Sequence, residues 1–438
     1  MGATGLANDP GRAAGERRAL RFLTAGSVDD GKSTLIGRLL YDSQAILADQ
    51  IEALENRAAG MPIDLSLLTD GLEAEREQGI TIDVAYRYFA TRRRKFVIAD
   101  APGHEQYTRN MVTAAAGSDA AVVLVDLTKL DLSRRPPALL TQTRRHALLA
   151  HLLRVAHIVF AVNKIDAVAD AAGAFGAVRD ALHAFAAHAG IEVAGVIPVS
   201  ALRGDNVTQR LDVPWYRGPS LLELLEQLPA AQERTEGDLL LPVQYVARDA
   251  AGAPGGNGRQ PRTLWGRIAH GSVKPGDEVE VVGSANAAIV AEVRRAGDAV
   301  GRAVAGESAG IVLDRPLDVS RGDWIATPGT TRTRQTFRAT LAWLDTEPAQ
   351  VGRKYWLRHG NRWVAARIAS IESRLDVHTL ERGGASTLAA NDIGTVTVHA
   401  QQGLAIDAYA ASRIAGSLIV VDAASHRTSG ALLVTDRA

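Results

Sequence analysis

The sequence predicts an α/β domain built on a doubly wound, mostly parallel sheet, followed by two small β-barrel domains. Three short apolar runs, 96–100, 120–126 and 158–163, are rich in β-branched residues. Runs that are apolar throughout are typical of parallel strands covered on both faces. After Leu240 the helical periodicity stops, and short strand-like runs alternate with Gly/Pro turns. That alternation is typical of small barrels.

The elements support this division in chain order. Between the third apolar run and a strand-like run at 193–200, apolar residues recur at helical spacing and predict a helix that ends at Gly190. These residues are Phe175, Val178, Leu182 and Phe185. The strand-like runs of the barrels are 243–246, 265–269, 278–282, 289–293, 337–344, 364–371, 417–422 and 431–434.

The 438 residues are too many for one hydrophobic core, so we expect several domains. Residues 1–18 are Ala/Gly/Arg-rich and lack the apolar segment of a signal peptide, which predicts a disordered lead-in. We assign the α/β domain to 19–235, the first barrel to 236–332 and the second barrel to 333–438.

The amino-acid composition excludes several classes of function. Hydrophobic residues make up 46% and charged residues 22%, as in ordinary globular proteins, and no apolar run reaches the length of about 18 residues that spans a membrane. The absence of cysteine excludes disulfides and thiolate chemistry, and zero net charge argues against a dedicated nucleic-acid binder. We therefore expect a cytoplasmic protein with neither a membrane nor a nucleic acid as its partner.

The stretch 26–34, Gly-Ser-Val-Asp-Asp-Gly-Lys-Ser-Thr, fits the phosphate-loop pattern. Its glycines let backbone N–H groups surround phosphate oxygens, and the following helix directs its positive dipole end at the same anion. Lys32 supplies a charge near the β- and γ-phosphates, while Ser33 offers a hydroxyl to Mg²⁺. The predicted phosphate-binding residues are Gly26, Ser27, Val28, Asp29, Asp30, Gly31, Lys32, Ser33 and Thr34.

Two further elements are predicted to surround the γ-phosphate. Asp100 follows a strand and can hold Mg²⁺ through water, while Gly103 can direct its N–H at the phosphate. Thr81 is predicted to bond Mg²⁺ and the γ-phosphate, which would order its loop only in the triphosphate state. The nucleotide-binding residues predicted in the Asp-x-x-Gly element are Asp100, Ala101, Pro102, Gly103 and His104.

His104 has two interpretations. A lone histidine is more often structural than catalytic. Directly after Asp-x-x-Gly, however, its side chain can reach the water that attacks the γ-phosphate. We therefore predict His104 as the catalytic residue.

The base-reading element is predicted at 163–166, Asn-Lys-Ile-Asp. Asp166 can accept hydrogen bonds from N1–H and the 2-amino group of guanine, and adenine would leave this carboxylate unpaired. Such an unpaired group gives discrimination on the order of 10⁴. Asn163 is predicted to join this loop to the phosphate loop. The predicted base-pocket residues are Asn163, Lys164, Ile165, Asp166, Ser200, Ala201 and Leu202. Together the motifs predict a P-loop GTPase domain with GTP as substrate and Mg²⁺ as cofactor.

These motifs resemble those of translation-factor GTPases such as elongation factor Tu, which carry two β-barrels after the GTPase domain. The chain more closely resembles the GTPase subunits of bacterial ATP sulfurylase (sulfate adenylyltransferase). The segments that carry this closer resemblance include 27–31, 39–42, 70–76, 82–89, 104–111, 142–146 and 214–219. The resemblance implies GTP hydrolysis coupled to formation of adenylylsulfate from ATP and sulfate on a separate small catalytic subunit (CysD-type).

Two other functions remain open at this point. One is an elongation-factor-like GTPase that delivers aminoacyl-tRNA, and the other is a GTPase that regulates a partner without energetic coupling. Zero net charge and Asp30, where elongation factor Tu has histidine, argue against the first. The basic run 92–95 lies between two predicted strands, so we interpret it as a solvated hairpin turn and not as an RNA contact.

Overall fold

The computed structural model describes residues 19–46, 64–65, 84–102, 108–230, 235–248, 262–284 and 286–436. The chain divides into two compact units, Met1–Ala231 and Gln232–Ala438. None of the helices in the described ranges is long and apolar enough to cross a membrane. The strands of the first unit are β1 Leu20–Ala25, β2 Ala85–Ala90, β3 Lys95–Asp100, β4 Ala120–Asp126, β5 His157–Asn163 and β6 Val193–Pro198. Its helices are α1 Lys32–Asp42, α2 Thr108–Ala116, α3 Thr141–Leu152, α4 Ala171–Ala189 and α5 Leu221–Gln227.

The first unit is built on one six-stranded sheet with the order β2-β3-β1-β4-β5-β6. Five strands are parallel, and β2 at the edge runs antiparallel to β3. The predicted doubly wound, mostly parallel sheet is therefore confirmed. Its register pairs Thr24 with Asp100 and Asp126 with Asn163, so polar residues from four strands end at one edge. Ligand sites of such sheets lie at this carboxyl edge.

The predicted Ala-rich helix is confirmed as α4. Its apolar face is buried, and Gly190 follows its end with φ 68°, the left-handed conformation that glycine adopts at a helix terminus.

The start of α5 is fixed by a capping box. The hydroxyl of Ser220 accepts a hydrogen bond from the N–H of Glu223, and the Glu223 carboxylate accepts one from the N–H of Ser220.

The interpretation of 92–95 as a solvated turn was wrong for one residue. The turn between β2 and β3 exists, but Arg94 is only 4% exposed. Its guanidinium donates hydrogen bonds to the carbonyls of Leu225 and Leu228 at the end of α5. The last carbonyls of a helix have no intrahelical partner, so they bind a cation that reaches them. Sequence alone could not show that α5 ends beside this turn.

The second unit is made of antiparallel strands. They are β7 Leu240–Pro242, β8 Tyr245–Arg248, β9 Arg262–Arg267, β10 Ser272–Val273, β11 Glu278–Val281, β12 Ala287–Arg295, β13 Asp298–Val300, β14 Ala303–Val304, β15 Ser308–Leu313, β16 Trp324–Ala326, β17 Arg334–Trp343, β18 Lys354–His359, β19 Arg362–Leu375, β20 Arg382–Gly383, β21 Ile393–Leu404, β22 Ser417–Asp422 and β23 Thr428–Val434. The first sheet has the order β7-β16-β11-β12-β15-β9-β8. The second has the order β18-β22-β23-β17-β21-β19-β20, and pairing of β18 with β19 closes it. The predicted β-barrel class is confirmed.

The predicted strand at 243–246 is interrupted. Val243 and Gln244 lie between β7 and β8, where the backbone changes partner strands. The N–H of Val243 bonds the carbonyl of Asp323, whereas the N–H of Gln244 bonds the carbonyl of Trp265. The run of residue types cannot reveal such a change, because it does not show which strand each backbone N–H will bond.

Within the second unit, the two barrels share a small buried core. The rings of Trp324 and His359 stack with centroids 4.7 Å apart, and the two side chains are 3% and 0% exposed. The Nε2 atom of His359 donates to the carbonyl of Ala415 at 3.0 Å. Burial lowers the pKa of His359 from 6.5 to about 4, because desolvation disfavours the imidazolium.

The stability of the second unit should therefore fall in mild acid. The folded state keeps His359 neutral, so the unfolded chain binds more protons between pH 6.5 and about 4. The free energy of unfolding therefore decreases by about 3 kcal/mol as the pH falls through this window. Urea unfolding as a function of pH should show a weaker pH dependence for His359→Gln, whose amide can still donate to Ala415. The same change at the exposed His378 should leave the wild-type dependence intact, and an equal dependence in all three proteins would contradict this account.

Candidate functional site

The phosphate loop connects β1 to α1, as predicted. Gly31 precedes α1 with φ 92°, and a Cβ atom there would lie 2.5 Å from Nδ2 of Asn163. Both its backbone conformation and this close approach require glycine. The N–H of Ser27 bonds Oδ2 of Asp30 at 2.6 Å, which folds the loop back on itself. Asp29 is exposed with φ 64°, and Val28, Ser33 and Thr34 are half-buried.

Lys32 lies beneath the loop and is only 7% exposed. Its ammonium donates to the carbonyls of Gly26 and Ser27, both at 2.9 Å. Burial lowers the pKa of Lys32, while the charges of Asp100 and Asp30 act in the opposite direction. An ammonium has three donors, so this arrangement fixes the side chain and still allows a bond to an anion.

Asp30 holds the loop from inside the protein. Its side chain is buried, and Oδ1 accepts a bond from the Lys129 ammonium at 2.8 Å. The same ammonium also bonds the carbonyl of Val28. Lys129 lies in a short 3₁₀ turn directly after β4. One cation therefore connects the end of β4 to two positions of the phosphate loop.

Asp126, the last residue of β4, is fully buried and forms an ion pair with Lys164 at 2.7 Å. Burial alone would raise the pKa of Asp126, but hydrogen bonds from Lys164 and Thr128 hold it below its usual value. Lys164 has φ 65°, an uncommon conformation for a side-chain-bearing residue. The ion pair fixes the stem of Lys164 beside the loop that is predicted to hold the base.

The Asn163 side chain joins its own loop to the phosphate loop, as the sequence predicts, and it also contacts the loop of Ala201, which the sequence did not predict. Its Nδ2 donates to the carbonyl of Asp30 at 2.8 Å, and its Oδ1 accepts from the N–H of Ala201 at 3.0 Å. The side chain is 2% exposed. The amide therefore uses a donor and an acceptor at once, which no aliphatic or carboxylate side chain can do at neutral pH.

The predicted base pocket lies around Asp166. Its carboxylate is 12% exposed and has Nε of Arg203 at 3.7 Å. The Arg203 side chain is 64% exposed and its contact with Asp166 is long, so the pair contributes little and Arg203 can move away when a ligand binds. Leu202 is 64% exposed beside the pocket, and its carbonyl accepts a bond from Arg38 of α1 at 2.6 Å. Ile165, Ser200 and Ala201 are buried around these residues.

Asp100 ends β3 and is 2% exposed, with Oγ1 of Thr24 donating to it at 3.3 Å. Ala101 and Pro102 follow it and are buried. The predicted residues Thr81, Gly103 and His104 lie outside the described residues.

Sequence reasoning assigned no role to Asp126, Lys129 or Arg203. A signal existed for Asp126, which ends β4 as Asp100 ends β3 and Asn163 ends β5. Polar residues at consecutive strand ends meet at one edge of a parallel sheet, so Asp126 could have been included. Lys129 and Arg203 act from irregular segments, where spacing carries no comparable signal.

The fold and the family matches define a GTPase of the elongation factor Tu class. The family described as elongation factor Tu GTP binding domain matches residues 17–231. The family described as GTP-eEF1A C-terminal domain-like matches 336–435.

Relatives that match 95% of this chain define a more specific family within this class. Sulfate adenylyltransferase subunit 1 of Laribacter hongkongensis is 42% identical over 95% of this chain and 85% of its own length. The bifunctional enzyme NodQ of Azospirillum brasilense is 46% identical over 95% of this chain and 66% of its own. The bifunctional enzyme CysN/CysC of Mycobacterium tuberculosis is 45% identical over 95% of this chain and 67% of its own length. The chain belongs to the family of sulfate adenylyltransferase subunit 1, and it spans about two thirds of the length of the two bifunctional relatives.

Removing the ammonium of Lys129, which contacts the phosphate loop, should weaken nucleotide binding. Lys129→Met leaves the buried Asp30 carboxylate without its ammonium and frees the Val28 carbonyl. We expect the Kd for GTP and for GDP to rise about tenfold, which is about 1.4 kcal/mol, measured by titration with a fluorescent nucleotide. Lys95→Met, at an exposed lysine of β3, is the matched control. Wild-type affinity in Lys129→Met would show that the loop does not depend on this contact.

Proposed function

We propose that this chain is the GTP-hydrolysing subunit of a sulfate adenylyltransferase and couples GTP hydrolysis to adenylylsulfate formation on a small catalytic subunit. The observation that carries the proposal is the Asn163 side chain, which connects the phosphate loop to the loop of Ala201. That connection brings Asp166, a carboxylate suited to guanine, to the same sheet edge as Lys32. Membership of the subunit 1 family supplies the reaction.

In the proposed complex, the backbone of 26–31 and the ammonium of Lys32 bind the phosphates, and Asp166 accepts two hydrogen bonds from guanine. Ser200, Ala201 and Leu202 enclose the base, together with the stem of Lys164. Discrimination against adenine follows because the weakly paired Asp166 would be buried without donors.

The residues present also fit Mg²⁺. Mg²⁺ in nucleotide sites takes one or two protein oxygens, with phosphate and water completing its shell. The described residues contain no cluster of three or more metal-binding side chains, and such a site needs none. We assign Ser33 at the start of α1 and Thr81 as its protein ligands, and Asp100 at the end of β3 would hold it through water. The ion would neutralise phosphate charge during transfer.

His104 is proposed to orient the attacking water, and Thr81 to sense the γ-phosphate. Loss of that phosphate would release the segments around both residues, as in other GTPase switches. Adenylylsulfate formation from ATP and sulfate is uphill, so coupling requires that the partner bind the two nucleotide states differently. The partner in this proposal is the CysD-type small catalytic subunit in the cytoplasm, where ATP and GTP are available.

The geometry reduces support for the alternative of an elongation-factor-like GTPase that delivers aminoacyl-tRNA. One residue of the basic run 92–95 is used within the protein, since Arg94 is 4% exposed and its guanidinium binds carbonyls at the end of α5. This cation is not available to the phosphates of RNA.

The test measures adenylylsulfate formed by the purified complex of chain and small subunit with ATP and sulfate. With GTP added, the product should exceed the level reached without GTP. His104→Ala should bind GTP with near wild-type affinity, yet return the product to the GTP-free level, because hydrolysis is slowed. His183→Ala, at an exposed histidine of α4, is the control and should behave as wild type. If GTP speeds the reaction without changing its final level, the chain regulates its partner and does not drive it.

A further inference from the structure

The closed barrel of β17–β23 carries an outward surface that combines indole rings with cations. We call it the tryptophan face, and its members are Lys354, Trp356, Arg358, Trp363, Arg367 and Ile419. The register places them together, because Arg358 of β18 lies opposite both Trp363 of β19 and Ile419 of β22. Directly opposed residues of antiparallel strands point to the same side of a sheet. Leu357, the residue before Arg358 on β18, is 2% exposed, because successive residues of a strand point to opposite faces of the sheet.

The apolar part of this face is unusually open. Trp363 is 50% exposed and Ile419 is 39% exposed on either side of Arg358, and Trp356 is half-buried two residues before Arg358 on β18. A single exposed apolar side chain is ordinary, but a contiguous group marks an interaction site. The barrel is closed by pairing of β18 with β19, so it offers no free strand edge here. Recognition on this face must therefore use side chains.

The cations of the face have no carboxylate partners within the described residues. In the same barrel, Arg353 pairs with Asp422 and Arg427 pairs with Asp345. Lys354 instead lies over the Trp356 ring with Nζ 5.6 Å from the centroid, and Arg358 lies over Trp363 with Cζ at 5.8 Å. These cation–π contacts hold the charges on the surface without neutralising them. The face therefore combines net positive charge with exposed apolar side chains.

We propose that the tryptophan face docks an acidic, apolar-anchored surface of the small catalytic subunit, a partner that rests on the proposed function. Tryptophan and arginine dominate the energetics of protein interfaces, and uncompensated cations favour a partner surface that carries carboxylates. A nucleic acid would need ring faces open for base stacking. On this face, Lys354 and Arg358 already occupy one side of each indole, so an acidic protein surface fits better.

The experiment measures binding of the purified small subunit to the full chain by calorimetry at two salt concentrations. Trp363→Ser and Arg358→Glu should each raise the Kd at least about tenfold, and Arg358→Glu should also reduce the salt dependence. A third face variant, Ile419→Ser, should also weaken binding. The matched controls lie in the other barrel. Arg302→Glu, at an exposed arginine, is the control for Arg358→Glu, and Ile289→Ser is the control for Ile419→Ser, since these isoleucines are 45% and 39% exposed. The controls should bind as wild type, and thermal melts should confirm that every variant is folded. If Trp363→Ser does not fold, Arg358→Glu and Ile419→Ser carry the test.

The outcomes separate the two proposals. If the wild-type chain binds the small subunit and all face variants bind equally well, the docking proposal is wrong while the proposed function stands. If the wild-type chain does not bind the small subunit at all, both proposals fail. Binding of a labelled single-stranded RNA that is lost in Arg358→Glu, with unchanged binding of the small subunit, would identify the face as an RNA site and overturn the protein-docking proposal.

Discussion

The side-chain amide of Asn163 is the contact on which the rest of the nucleotide site depends. It donates to the phosphate loop 133 residues earlier in the chain and accepts from the loop that follows β6. Each bond contributes only about 1 kcal/mol to stability in the ordinary case. Their larger effect is geometric, because they fix the distance between the phosphate-binding and base-binding parts before any ligand arrives. Preorganisation of this kind removes an ordering cost from binding.

Around this amide, buried charges connect the same loops a second time. Lys129 links β4 to the phosphate loop through Asp30, and Asp126 links β4 to the base loop through Lys164. Buried ion pairs are costly to break because the remaining charge is left without a partner. The strand ends therefore form one connected polar layer between the phosphate loop and the base loop.

The sequence was sufficient for the fold class and for the prediction that the ends of β1, β3 and β5 lie at one sheet edge. Glycine spacing at 26–31, the apolar strands and the order of the motifs all reflect local chemistry, and the parallel sheet brings their ends to one edge. It was insufficient where a residue acts on a distant one. Arg94 binds a helix end 131 residues away, and Lys129 binds a loop 99 residues away. The tryptophan face likewise depends on the register between three strands, which spacing along one strand cannot give.

The central claim is that Asp166 reads guanine at the sheet edge where Lys32 binds the phosphates. Competition of GTP, ATP and XTP for a fluorescent guanine nucleotide tests it most directly, with the wild-type chain and Asp166→Asn side by side. ATP should compete on the order of 10⁴-fold more weakly than GTP with the wild type. Asp166→Asn should prefer XTP, because its amide can donate to the 2-oxo group. Equal competition by ATP and GTP, or unchanged GTP preference in Asp166→Asn, would contradict the account.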